Sequence, residues 1–216
     1  MELSRGQEVL QAAFGTVHTI VPGNIVVLDN NEAIWERYDQ VSRGRNNIYV
    51  TPNRTWQDGD ARAAFPLGLN GFADAGTVYI NRMTTSPTTT VHEMLHLNTA
   101  AGYRRAVGET VNEGTTQYLA IKALRQANVA LPASLPYAQE TELAGHLARL
   151  VGEDIVIQAY FGGANTLIDA VDRALGAGSW TRFKALADAR DFTGAAAALR
   201  RPLGDFPMPT GDTRLA

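Results

Sequence analysis

Hydrophobic positions along the first half of the chain change period several times, and each change marks an element. Val9, Leu10, Ala13 and Phe14 recur at helical spacing and predict a short helix within the first 14 residues. Ile25-Val26-Val27-Leu28 is an apolar run of strand length, read as a buried strand, with Asp29-Asn30-Asn31 as turn and cap. Ile34, Tyr38 and Val41 then predict a helix near 32–43 that Gly44 ends. Asn47 to Thr51 alternates like a strand and stops at Pro52, whereas residues 53–71 have no period and read as one long loop. Gly76-Thr77-Val78-Tyr79-Ile80-Asn81, after an Asp-Ala-Gly turn, carries the cleanest period-2 alternation in the chain.

From Ser86 onward the period becomes helical. Ser86-Pro87 supplies an N-cap hydroxyl and a proline at the first helical position, where its missing N–H costs nothing. Val91, Met94 and Leu95 form the apolar stripe of a helix over about 87–101, with Gly102 as its expected C-cap. Val111, Tyr118, Ile121 and Leu124 predict a second helix over about 109–128, although Gly114, Thr115 and Thr116 are poor helix formers in its first half. Pro132 and Pro136 punctuate a loop, and four further helical segments follow: 140–151, 155–161, 167–175 and 180–187. Gly162-Gly163 breaks the second of these, and a short alanine-rich segment closes the series at 194–199. No internal repeat is present. The pattern predicts one α+β domain over 1–216: a mixed half at 1–101, a helical half at 102–200, and a tail at 201–216. The tail holds three prolines and is expected to order only by docking.

The polar side of the 87–101 helix carries the chemistry. His92-Glu93-Met94-Leu95-His96 is an H-E-x-x-H motif, and two of the four histidines in the chain fall within it. Histidines four apart share a helix face, so both imidazoles can converge on one metal ion while the glutamate between them reaches a water on that ion. The ordinary alternative is two surface histidines on an unremarkable helix. Glu113, on the next helix, tells against it. Its carboxylate completes a His, His, Glu set of the kind that leaves one zinc position open, and Gly114 beside it would let another backbone come close. Glu109, four residues back, shares that helical face and is the competing third ligand; Glu109 or Asn112 would otherwise orient ligands from behind.

Composition narrows the class without identifying it. At 216 residues and 45% hydrophobic content the chain can bury a core without staples. A net charge of −3 and a pI near 5.8 argue against nucleic acid as partner, and the Arg43/Arg45 and Arg104/Arg105 pairs read as solvated surface or as partners of local carboxylates. With no cysteine there is neither a disulfide framework nor a thiolate metal site. No apolar run approaches membrane-spanning length and no signal peptide is apparent, so the chain as given is expected to be soluble, either cytoplasmic or secreted or delivered as part of a longer protein.

Together His92-Glu93-x-x-His96 and Asn112-Glu113 resemble the zincin metallopeptidases, and within them the thermolysin-like group whose third zinc ligand is a glutamate on the following helix. Two features depart from thermolysin. Gln117 stands where the N-E-x-x-x-D pattern has the aspartate that orients the first histidine, and the separation of His96 from Glu113 is shorter. The run Asn112-Glu113-Gly114-Thr115-Thr116-Gln117-Tyr118 is closer to the N-E-G-x-T-E-Y stretch of small bacterial metallopeptidase domains, some of them toxin-associated, with glutamine again replacing glutamate.

The resemblance implies a zincin-like fold with its cleft between the two halves. It also implies Zn²⁺ on His92, His96 and Glu113, Glu93 as general base, and hydrolysis of peptide bonds in a peptide or protein substrate, as an endopeptidase rather than an exopeptidase. The 76–81 strand is then expected near the sheet edge on which an extended substrate lies. A tyrosine donates to the oxyanion in several zincins; of Tyr137 and Tyr160, the apolar run around Tyr160 reads as core, so Tyr137 is the preferred donor. His146 is read as a satisfied, partly buried histidine with an oxyanion role left open, and His18 as incidental. Two other readings remain: a toxin-like effector with one narrow protein target, and a metal-binding module without turnover.

Overall fold

The computed structural model describes residues 3–21, 23–47 and 54–200 and is an α+β fold dominated by helix. In chain order the elements are α1 (Leu3–Phe14), β1 (Asn24–Leu28), α2 (Asn31–Ser42), β2 (Asn46–Asn47), β3 (Arg54–Thr55), α3 (Asp60–Ala64), β4 (Gly71–Asp74) and β5 (Thr77–Asn81). They continue as α4 (Pro87–Asn98), α5 (Tyr103–Val107), α6 (Glu109–Gln126), α7 (Ala138–Val151), α8 (Glu153–Gly162), α9 (Asn165–Leu175), α10 (Ser179–Asp188) and α11 (Phe192–Ala198). Among the described residues no helix is long and apolar enough to cross a membrane.

The main sheet has three strands in the order β1-β5-β4, with β1 parallel and β4 antiparallel to β5. Alternation along β5 feeds two separate cores. Val78 and Ile80 face the large core built on α4, α6 and the C-terminal helices. Tyr79, with Phe72 of β4 and Ile34 of α2, forms a small second core on the other face. α2 therefore covers one face of the sheet and α4 the other.

Several sequence expectations need correction. The 76–81 strand is central and adjoins the edge; the edge strand itself is β4, which begins where the expected 53–71 loop ends and runs to the first residue of the Asp-Ala-Gly turn, a stretch for which no strand was expected. β1 is only half-buried, because it is the opposite edge. The 53–71 segment is organised by buried acids that a hydrophobic period cannot reveal. Asp39 of α2 accepts hydrogen bonds from Trp56 Nε1 at 2.6 Å, Gly59 N at 2.7 Å and Ala61 N at 2.8 Å, which fixes the start of α3. Of the strand expected at 47–51, only Asn47 lies within the described residues, where β2 pairs with β3. The tail lies outside them.

α4 begins as read, with Ser86 and Thr89 in a reciprocal capping box and Pro87 at the first position. It ends three residues earlier than read. Thr99 is extended, and Ala100 N donates to Tyr160 O of α8 at 2.8 Å, which draws the chain off the helix axis. Gly102, with φ of 80°, opens α5 and does not cap α4.

α6 is buried nearly all round, including Thr110, Asn112, Thr115, Thr116 and Gln117. Its small residues suit a helix packed on every side. At Gly114 a β-carbon would lie 2.2 Å from the carbonyl oxygen of Glu140, so α7 crosses α6 at the backbone, as the glycine beside Glu113 suggested.

Candidate metal centre

α4 and α6 cross so that His92, His96 and Glu113 present their donor atoms to one point. Nε2 of His92 lies 3.1 Å from Nε2 of His96 and 3.1 Å from Oε2 of Glu113, and His96 Nε2 lies 3.4 Å from Glu113 Oε1. Four-residue spacing on α4 sets the two imidazoles edge to face, with centroids 4.7 Å apart. His92 is almost wholly buried, while His96 and Glu113 keep limited exposure toward a cavity.

Hydrogen bonding behind His92 fixes its tautomer. His92 Nδ1 donates to Gln117 Oε1 at 2.9 Å, so in the neutral, metal-binding form of the ring Nε2 turns a lone pair toward the cluster. That lone pair meets a carboxylate oxygen and a second imidazole nitrogen at hydrogen-bond distance. Acceptors crowded in this way repel unless a cation lies between them. The spacing also fits one. Donors on a tetrahedral zinc with bonds of roughly 2.0–2.1 Å stand about 3.3–3.4 Å apart, against the 3.1–3.4 Å found here. The donor set therefore fits a tetrahedral metal ion with one open position, and a metal ion could be held by this group.

Around this centre the other candidates separate cleanly. Asn112 Nδ2 donates to Glu113 Oε1 at 3.3 Å and is the residue that orients the carboxylate. Glu109 is instead held by Arg104, through Nε and through Nη2 at 2.7 Å, and stands apart from the metal group. Asn112 Oδ1 and Gln117 Nε2 are buried without partners, so the two polar orphans flank the ligands.

Glu93 lines the cavity beside the triad. Burial pushes its carboxyl up to about 7, with the His92 imidazole opposing and the Glu113 charge adding. Burial would raise Glu113 as well, but the imidazoles of His96 and His92 outweigh it and hold that carboxyl well below the usual range. Two neighbouring carboxyls are thus driven apart, one poised near neutrality and one firmly ionised.

Tyr137 precedes α7 with φ 56° and ψ 37°, a left-handed conformation uncommon outside glycine. Its ring stacks on His92 with centroids 5.4 Å apart and an interplanar angle of 10°, at the wall of the cavity. Tyr160 is buried in the core, with its hydroxyl 2.9 Å from Thr116 Oγ1. His146 is partly buried on α7, where it accepts from Arg149 at 3.0 Å and lines no part of this cavity. His18 stacks on Phe161.

The cavity has a volume of about 550 Å³ and runs along β4 between the mixed and helical halves. Gly71 sits over the motif helix: a β-carbon there would meet Tyr79 O at 2.9 Å, Thr89 Cγ2 at 3.0 Å and Glu93 Cγ at 3.2 Å. The register gives the edge its polarity. Asn81 N donates to Asn70 O, so the bonded pairs continue at Phe72–Tyr79 and Asp74–Thr77. Gly71 and Ala73 therefore turn their main-chain N–H and C=O away from β5, and among the described residues no strand pairs with that side.

Sequence reading missed Gly71 and the edge strand it belongs to, for want of any period in four residues. It flagged Gln117 only as a departure from a pattern; its place four residues after Glu113, on the same face, was the available signal. Comparison of the chain with family models, with curated proteins and with solved structures gave no match, and the site stands on its own geometry.

Proposed function

We propose that the chain is a zinc-dependent metallopeptidase, an endopeptidase of zincin type. The observation that carries this is the convergence of three lone-pair donors at tetrahedral spacing beside a buried carboxyl raised to about 7. His92, His96 and Glu113 would hold the ion. When bound, Zn²⁺ supplies Lewis acidity and brings a coordinated water's pKa from about 16 toward neutrality. The remaining steps belong to the chain. Gly71 and Ala73 pair with an extended peptide and set its carbonyl above the motif helix. Glu93 accepts the proton of the attacking water and returns it to the leaving amide nitrogen. Tyr137, on the cavity wall, donates to the developing oxyanion. Glutamate suits the central role because one carboxyl serves as base and then as acid.

Metal content and turnover test this together. Elemental analysis is expected to find about one zinc per chain, and the zinc-loaded protein is expected to cleave unstructured protein. Absence of zinc, with no uptake on titration, overturns the metal centre. Tight zinc binding without hydrolysis of any peptide overturns the peptidase and leaves a metal-binding module.

A further inference from the structure

Two ion pairs face each other across the cavity that holds the metal group. On the α2 side, Arg45 Nη2 donates to Asp74 Oδ1 at 2.7 Å, at the end of β4. On the opposite wall, Arg104 holds Glu109 at the start of α6. All four residues line the same cavity as Glu93, His96 and Glu113. Tyr38 lines the same cavity: burial raises its phenol and Glu109 adds to that, while Arg104, a hydrogen bond with Ser42 and Arg45 lower it.

The pairs are not symmetric in exposure. The Arg45 and Arg104 side chains are 59% and 57% exposed, whereas those of Asp74 and Glu109 are 17% and 31% exposed. The carboxylates are the more buried partner of each pair and the guanidiniums the more accessible one. Arg45 commits Nη2 to Asp74, and a planar fork of five donors has further N–H groups for a second carboxylate. A basic side chain would have to displace an arginine from an already satisfied acid; an acidic one only adds to the fork.

Distance places this subsite along the substrate. Gly71 stands over Glu93, and Asp74 follows three residues later, so the Arg45–Asp74 pair sits about 10 Å from the reacting centre at roughly 3.4 Å per residue, while Arg104 reaches the same cavity from the α6 side. We infer that Arg45 and Arg104 form a specificity subsite for an acidic side chain of the peptide, about three residues from the scissile bond. This rests on the peptidase reading above and names the substrate class of the same site.

The experiment uses matched peptides carrying Glu, Ala or Lys at positions two to four from a mapped cleavage site. Wild-type zinc-loaded protein is expected to prefer Glu over Lys by about tenfold or more in kcat/KM, an effect weakened by salt. Arg45→Gln combined with Arg104→Gln is expected to erase the preference while Ala peptides are still cut. In parallel, Glu93→Gln protein loaded with zinc is titrated with the same peptides by fluorescence anisotropy, where the order Glu, Ala, Lys should appear in affinity. Equal treatment of the three peptides, or a preference that survives in the double variant, overturns the subsite alone. If no peptide is hydrolysed, the peptidase reading fails, and anisotropy with Glu-, Ala- and Lys-substituted versions of one extended peptide still decides the subsite.

Discussion

At the scale of single residues, the site is defined as much by what supports the ligands as by the ligands. Gln117 holds His92 in the tautomer that frees Nε2, and it does so without charge. Gln117→Leu removes the acceptor and is expected to weaken zinc binding by about 10–100-fold, while Gln117→Glu, which keeps an acceptor, restores it. Competition with a chromogenic chelator reads both, and equal affinities in all three proteins would remove Gln117 from the centre. Glu93 makes a second prediction. As a base it must be ionised, so kcat/KM falls as pH drops through its pKa. Its carboxyl lies at about 7 without metal, and a nearby cation draws it down. The acid limb of the profile should therefore lie at or below about 7, and Glu93→Gln should lose roughly 10²–10⁴-fold in rate with zinc retained. Near-normal hydrolysis by that variant would take the proton-transfer role away from Glu93.

Among elements, the crossing of α6 and α7 sets the geometry of the third ligand. The Gly114 contact with the Glu140 backbone leaves no room for a methyl group, and the clash involves main chain, not a flexible side-chain end. Gly114→Ala is expected to destabilise the protein by about 1–3 kcal/mol in urea unfolding, and to weaken zinc binding because α7 also carries Tyr137 at its start. Unchanged stability would mean the helices part without cost. What was legible in the sequence follows the same division. α4 and α6 announced themselves through Ser86-Pro87, the Val91/Met94/Leu95 stripe and the His92, His96 and Glu113 spacing, all of which are local. β4 and α3 did not, because four or five residues hold no period; α3 takes its order from Asp39, a carboxylate 22 residues from Ala61 in sequence, and β4 from its pairing with β5. The end of α4 was misplaced for the same reason, since a carbonyl on α8 decides it.

For the molecule as a whole, the metal group lies at the margin of a core that does not depend on it. The large cluster joins α1, α4, α6 and the C-terminal helices through residues such as Phe14, Leu95, Leu119, Leu147 and Phe183, none of them a ligand. The metal-free chain is therefore expected to be folded, unlike small zinc modules that unfold without metal. Zinc at about 1,000 times its Kd should add roughly 4 kcal/mol, which for a chain of this size raises Tm by about 8–16 °C. Thermal scans with and without a chelator measure the difference. A fully unfolded chelated protein would show that the ion holds the fold together.

The free side of β4 offers outward main-chain groups at Gly71 and Ala73 alone. So brief a ladder grips only a few residues of a target, and those residues must first leave whatever structure they belong to. Compact domains would pass through such an enzyme uncut, and scission would fall in linkers, exposed loops and unfolded tails. The choice of target would then depend less on which protein is met than on where along it the backbone is free to straighten.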